Sequence, residues 1–222
     1  MMSTIDVWPL AFPKPKAEAI VELLVDRFGQ LVKSKHGGFS YSLTEPRITE
    51  ILAVNLQRTA ARDVQPGQWQ YEPMSNTLEL DDRRRRDIVF TTVHDNQEAV
   101  SLIFECKKID PAGKRSKRNK HLKEYRIEGI DRFASGSYAY EDPLGFMVSF
   151  SAGSLEGTVD EIKTSLADVK WAKSAYMREF SKDIYWRAPP ERFAATAAFE
   201  TQHARQSPYP YLYLYHLNLA FS

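Results

Sequence analysis

Residues 101–110 read "SLIFECKKID". Leu102, Ile103 and Phe104 form an apolar run of the kind a buried strand carries. At its end stand Glu105 and Lys107, two positions apart and therefore on one face of the strand, because strand side chains alternate. An acid and an amine beside a core need a reason.

The strand before this one is expected over Arg85–Val93, and the one containing the quoted run over Ala99–Ile109. They pair as an antiparallel hairpin turning through Asp95–Gln97. With His94 facing Glu98, Ile88 faces Phe104 and Phe90 faces Leu102, which makes one wholly apolar face. The other face then carries Asp87 opposite Glu105, with Val89, Ile103 and Lys107 nearby. A slip of one residue would undo both results.

Two readings of this set stand side by side. One is a solvated face with a salt bridge, the usual fate of strand charges. The other is metal-dependent phosphodiester hydrolysis. Magnesium takes hard oxygen ligands and keeps several waters. Asp87 and Glu105 would supply carboxylates and the backbone carbonyl of Cys106 a third oxygen. Lys107 would orient or deprotonate the attacking water, or stabilise charge on the phosphate. The cofactor expected is Mg²⁺, with Mn²⁺ as a substitute. Glu161 and Lys163 repeat the triplet, but on an expected helix, where positions i and i+2 do not share a face.

Around this centre, residues 1–15 read as an arm interrupted by Pro9, Pro13 and Pro15. A helix is expected from Lys16 to Ser34, with Ile20, Leu23, Leu24, Phe28 and Leu31 at helical spacing. A second is expected from Thr44, as N-cap, to Arg62, with Pro46 in its first turn and Ile48, Leu52, Asn55 and Leu56 as its core stripe. Further strands are expected at Trp69–Glu72, Thr77–Asp81, 145–150 and in the terminal "YPYLYLYHLNLAF". Helices are expected over Arg118–Phe133 and Thr158–Trp171, and in part over 175–200, interrupted by Pro189 and Pro190. The order implies one α/β (α+β) domain over 1–222, a mixed central sheet flanked by helices.

The quoted core, "RRRDIVF" followed by "SLIFECKK", resembles that of the PD-(D/E)xK nuclease superfamily. That resemblance implies the restriction-endonuclease-like fold, and the interval from Asp87 to Glu105 falls within what the superfamily tolerates. Arg86 stands where a proline is frequent. The superfamily often adds a glutamate from the helix before the sheet. Glu45 lies within about 20° of Leu52 on the buried stripe, whereas Glu50 points nearly opposite. Glu45 is therefore assigned and Glu50 left at the surface; an acid stabilising the helix N-terminus is the other reading of Glu45. Tyr125, Gly129, Arg132, Phe133, Gly136, Tyr138, Gly145 and Met147 resemble a pattern in bacterial members from restriction and phage-defence gene clusters, over roughly residues 40–220.

Directly after the triplet come Lys108, Lys114, Arg115, Lys117, Arg118, Lys120 and Lys123, with Asp110 the single acid among them. Basic residues are unfavourable at a helix N-terminus, so a polyanion backbone is the partner they point to, with a solvated loop as the bland alternative. Arg132 is expected on phosphate or on a carboxylate. The net charge of +1 names no partner by itself, and 43% hydrophobic content is enough for one sizeable core. Cys106 is the only cysteine, so there is no internal disulfide and no four-ligand zinc cluster built on thiolates; it is read as a buried small side chain in a reducing, cytoplasmic setting. His203 and His216 read as satisfied core residues. No signal peptide or membrane span is expected.

The function expected is a metal-dependent endonuclease cutting DNA, a restriction or anti-phage effector working as a homodimer or with a partner protein from the same system. The alternatives are a nucleic-acid-binding subunit of a defence complex, an RNA-cleaving member of the same fold, and an interaction protein in which the triplet is only a salt bridge.

Overall fold

The computed structural model describes residues 14–60, 67–72, 86–93, 99–110, 113–139, 142–205 and 209–221. Among the described residues six strands form one mixed sheet: β1 (Gln68–Tyr71), β2 (Ile88–Val93), β3 (Ala99–Ile109), β4 (Leu144–Ser151), β5 (Ala197–Ala204) and β6 (Tyr211–Ala220), in the order β1-β2-β3-β4-β6-β5. β3, β4 and β6 run parallel at the centre, while β1, β2 and β5 are antiparallel to their neighbours. Central parallel strands are covered on both faces and read as continuous apolar runs, and every residue of β4 is buried.

The helices divide between the two faces. α1 (Lys14–Ser34) and α2 (Glu45–Ala60) pack Ile20, Leu24, Phe28, Ile48, Leu52 and Leu56 against Phe104, Cys106, Phe146 and Val148. Opposite them lie α3 (Arg115–Glu124), a π-helical turn (Tyr125–Ile130), α4 (Asp131–Ala134), α5 (Leu155–Leu166) and α6 (Val169–Ser174), which cover Ile103, Met147, Phe199 and Leu214. Two glycines allow close approach: a Cβ at Gly145 would meet the Phe133 ring at 2.4 Å, and one at Gly129 would meet Met147 Cε at 2.4 Å.

The β2–β3 register is the one the apolar pattern predicts: Ile88 pairs with Phe104 and Phe90 with Leu102. Several expectations need correction. Lys14 and Pro15 belong to α1 and not to an arm, because proline is tolerated where no helical N–H is required. Asn55 is only half-buried, and Ala53 takes the core position beside Leu52. The helix expected over Thr158–Trp171 starts earlier and is two helices: Ser154 caps α5 by accepting from Gly157 N–H, and Asp168 caps α6 by accepting from Trp171 N–H. Segment 175–200 is not helical apart from a 3₁₀ turn at Glu191–Phe193. It ends in β5, whose inward Glu200 and Gln202 hid the strand pattern; Arg187 and Arg178 satisfy them. The expected strand Thr77–Asp81, the His94–Glu98 turn and residues 1–13 lie outside the described residues. Among the described residues no helix is long and apolar enough to cross a membrane.

Candidate active site where β2 parts from β3

β2 accompanies β3 only as far as the Ile88–Phe104 pair, and the rest of β3 pairs on its other side with β4. The backbone groups of Cys106 and Lys108 therefore face an edge that β2 has vacated. Two carboxylates take the place of the missing strand. Asp87 Oδ2 accepts from Cys106 N–H at 2.7 Å, and Glu45 Oε2 from Lys108 N–H at 2.6 Å. Glu45 reaches this edge from the first turn of α2, so the residue 42 positions upstream of Asp87 in the chain becomes its neighbour in space.

Lys107 stands in the middle. Its Nζ donates to Glu105 Oε1 at 2.7 Å and to the Cys106 carbonyl at 3.0 Å, and lies 3.5 Å from Glu45 Oε1. From the other side Arg132 donates to the same Glu105 Oε1 at 3.1 Å and to the Tyr138 hydroxyl at 3.0 Å. Glu105 is fully buried and Lys107 is 6% exposed. Glu105 Oε2 is buried and has no hydrogen-bond partner.

The electrostatics follow from this crowding. Burial, then the neighbouring Asp87 carboxylate, push the Glu105 carboxyl up to about 8, against the pull of Lys107 and Arg132. Burial likewise raises Asp87, with Lys107 and the Cys106 N–H acting the other way. For Lys107, burial works to lower the amine, but Glu105, Asp87 and Glu45 together outweigh it and hold it above its ordinary value, so it is an ammonium. Burial raises the Cys106 thiol, which packs on the α1–α2 face and leaves only its carbonyl at the site.

The oxygens around Lys107 Nζ come from Glu105, the Cys106 carbonyl and Glu45. Asp87 and Glu105, with the Cys106 carbonyl, are the residues that could hold a hard cation, and Glu105 Oε2, which has no hydrogen-bond partner, is open as a ligand. Among the described residues no group of three or more His, Cys, Asp or Glu side chains is arranged around a metal position. The set here has two carboxylates and a carbonyl, which suits an ion that keeps much of its water.

The structure brings Glu45, Asp87, Glu105 and Lys107 together and leaves Glu50 outside, paired with Arg47 at 2.5 Å. Arg132 and Tyr138 join the site; the sequence marked Arg132 for a carboxylate or a phosphate, and the carboxylate is Glu105. Lys108 does not belong with the basic run: its ammonium donates to the carbonyls of Tyr41 and Leu43 and lies 4.1 Å from the centre of the Tyr41 ring. Lys117 pairs with Asp110 at 3.3 Å and Arg118 with Glu161 at 3.3 Å. Lys114 and Arg115 are exposed at the start of α3, whose first turn holds no acid, and Lys120, exposed in its middle, is 3.5 Å from Glu124.

His203 and His216 are buried and satisfied, as expected. Their tautomers follow from one carbonyl. Ala175 O can only accept, so His203 Nδ1–H donates to it at 2.9 Å. His203 Nε2 then accepts from the Thr201 hydroxyl at 3.0 Å, Thr201 Oγ1 accepts from His216 Nε2–H at 3.0 Å, and His216 Nδ1 accepts from the Tyr125 hydroxyl at 2.7 Å. This relay ties the π-helical turn, and with it the approach of Gly129 to Glu105, to β5 and β6.

No family model, no curated protein and no solved structure matches the chain.

Proposed function

We propose that this chain is a divalent-cation-dependent nuclease of the restriction-endonuclease-like fold, hydrolysing phosphodiester bonds of DNA in a bacterial defence setting. The observation that carries the reading is the Lys107 ammonium held between Glu105, Glu45 and the Cys106 carbonyl, beside Asp87 and an unsatisfied Glu105 oxygen. Stability alone does not account for it. Burying an ion costs several kcal/mol even after relaxation, and replacing a buried ion pair by apolar residues is often neutral or stabilising by ~1–4 kcal/mol. Four ionisable groups gathered at a broken sheet edge support a chemical role.

In this reading Asp87, Glu105 and the Cys106 carbonyl hold Mg²⁺ or Mn²⁺. The ion, when bound, offsets charge on the scissile phosphate and lowers the pKa of a coordinated water. Lys107, held as an ammonium, has no lone pair with which to take a proton; it donates hydrogen bonds and stabilises charge on the phosphate. Arg132 engages Glu105 Oε1 and holds that carboxyl in place, while Oε2 carries no hydrogen bond. Glu45 keeps the Lys108 N–H and the Lys107 ammonium in place. Lys114, Arg115 and Lys120 extend the positive field along which a phosphate backbone would lie.

The test is incubation of the full chain with plasmid DNA and with RNA, in Mg²⁺ or in EDTA, comparing wild type with Glu105→Gln and Lys107→Ala. Cleavage should require the ion and fall on the order of 100-fold or more in either variant. Cleavage that persists in EDTA and in both variants would remove the metal mechanism. Salt-sensitive binding without any cleavage would favour the second reading, a nucleic-acid-binding subunit that acts through a partner; cutting of RNA alone would move the substrate and keep the chemistry.

A further inference from the structure

α6 ends in a Schellman motif: Tyr176 N–H donates to Lys173 O at 3.2 Å, and Met177 N–H to Ala172 O at 2.9 Å. The residue between them must adopt a left-handed backbone, and it is Tyr176, at φ 51. Glycine is the usual occupant of that position and asparagine the next, because a Cβ is strained there. An aromatic side chain is a poor choice for the local geometry, and this one is not used for packing, being 66% exposed. Departures from local rules without a packing gain concentrate at functional sites.

Tyr176 stands on the wall of a cleft of about 540 Å³, lined also by Ala134, Ser135, Gly136, Ala204 and Arg205. That volume is within the range of roughly 300–1,000 Å³ typical of small-molecule sites. Ala134 ends α4, the short helix that carries Arg132, whose guanidinium meets Glu105, and Ser135 and Gly136 follow it directly. Two further arginines link cleft and site. Arg205 donates to the carbonyl of Asp142. Arg86, half-buried, lies close enough to Asp142 and Tyr138 to feel both, and its Nε has no hydrogen-bond partner. Arg132 contacts the Tyr138 hydroxyl. Arg205 and Arg86 thus share Asp142 as a neighbour, and Arg86 and Arg132 share Tyr138, a track of contacts that runs from the cleft to the Glu105 carboxylate.

We propose that the cleft holds one unpaired base of a single-stranded nucleic acid, stacked on the Tyr176 ring, while its phosphates follow Arg205, Arg86 and Arg132 toward Glu105. The assignment of that track to a substrate strand rests on the function proposed above; base stacking on Tyr176 does not require cleavage. An exposed aromatic face accepts any base, and a base locked inside a duplex cannot reach it. The site therefore selects single-stranded or frayed ends over intact duplex.

The test uses the full chain in EDTA, with fluorescein-labelled oligothymidine, oligouridine and a blunt duplex of equal length as probes. Tyr176→Gly relieves the backbone strain, so its thermal midpoint should rise, while its affinity for the single strands falls about tenfold, within the range measured for loss of one base–aromatic stack. Tyr176→Phe should bind as wild type does, and duplex binding should be unchanged in both. The two single-stranded probes tell DNA from RNA. Unchanged single-strand binding by Tyr176→Gly, an equal loss on duplex, or no binding of single strands by wild type would each overturn the proposal. A parallel incubation in Mg²⁺ separates the two ideas: binding that depends on Tyr176 without cleavage defeats the nuclease reading alone, and cleavage with no Tyr176 effect defeats the stacking site alone.

Discussion

The ammonium of Lys108 bonds two carbonyls of the loop before α2, those of Tyr41 and Leu43, and the next residue back turns its ammonium into the acidic cluster on the opposite face. Removing Lys108 should therefore register as stability. Lys108→Ala is expected to lower unfolding free energy by about 1.5–3 kcal/mol, read by urea denaturation, since hydrogen bonds to charged groups are worth roughly that much; its effect on the salt dependence of nucleic-acid binding should be nil. The alternation that separates Lys107 from Lys108 was legible in the sequence. That two loop carbonyls wait for Lys108 was not, because they belong to residues more than sixty positions away. Glu45 shows both sides of this: helical phase chose it over Glu50, but only the packing of α2 across β3 delivers its Oε2 to the Lys108 N–H.

At the scale of elements, the helix that follows β3 is interrupted by a π-helical turn, the kind of irregularity found frequently at functional sites. The turn sets Gly129 against Met147 and Glu105, and α4 then packs Phe133 on Gly145. Gly145→Ala should cost about 1–3 kcal/mol, the usual penalty for overpacking, because the Phe133 ring is fully buried with no room to retreat; the urea midpoint checks it. The buried relay makes a prediction in pH. Burial lowers His203 to about 4 and holds His216 well below its ordinary value. Between about pH 6.5 and pH 4 the unfolded histidines bind protons that the folded ones do not, so their contribution to stability is full above pH 6.5 and is lost as pH falls through that window. The raised Glu105 and Asp87 carboxyls act in the opposite sense, so the histidine share is read as a difference: urea unfolding of wild type and His203→Gln from pH 7 to pH 4 should give a gap between the two that narrows as pH falls. A gap that stays constant with pH would mean that His203 takes up its proton as readily in the folded chain as in the unfolded one.

For the whole molecule, the exposed start of α3 is the surface from which long-range attraction is expected. Lys114→Ala and Arg115→Ala should each reduce the slope of log affinity against log salt by roughly 0.7–0.9, the contribution of one neutralised phosphate, measured by anisotropy titration at several ionic strengths. Variants that weaken binding without changing the slope would place these side chains off the nucleic-acid path. The β5 edge of the sheet is bridged at two points: Met177 pairs with His203 and Arg187 with Glu200, which hinders pairing there with another chain.

Sequence alone determined the hairpin register and the two faces of β3, because alternation acts within a few residues of chain and leaves direct marks; it also marked Asp87, Glu105 and Lys107 and, through the resemblance and helical phase, Glu45, and the structure brings these four together. It could not place β5, whose buried Glu200 and Gln202 are satisfied by Arg187 and Arg178 from a segment without regular structure. Nor could it show that β2 leaves β3 at Ile88, that Arg132 shares Glu105 with Lys107, or that three arginines connect this carboxylate to the Tyr176 cleft. Those facts depend on which chain segments meet across the sheet. Burial, not residue type, turns an acid, an amine and a guanidinium into one electrostatic unit: the same three groups in water would be worth little to one another, and out of water each sets the charge of the next.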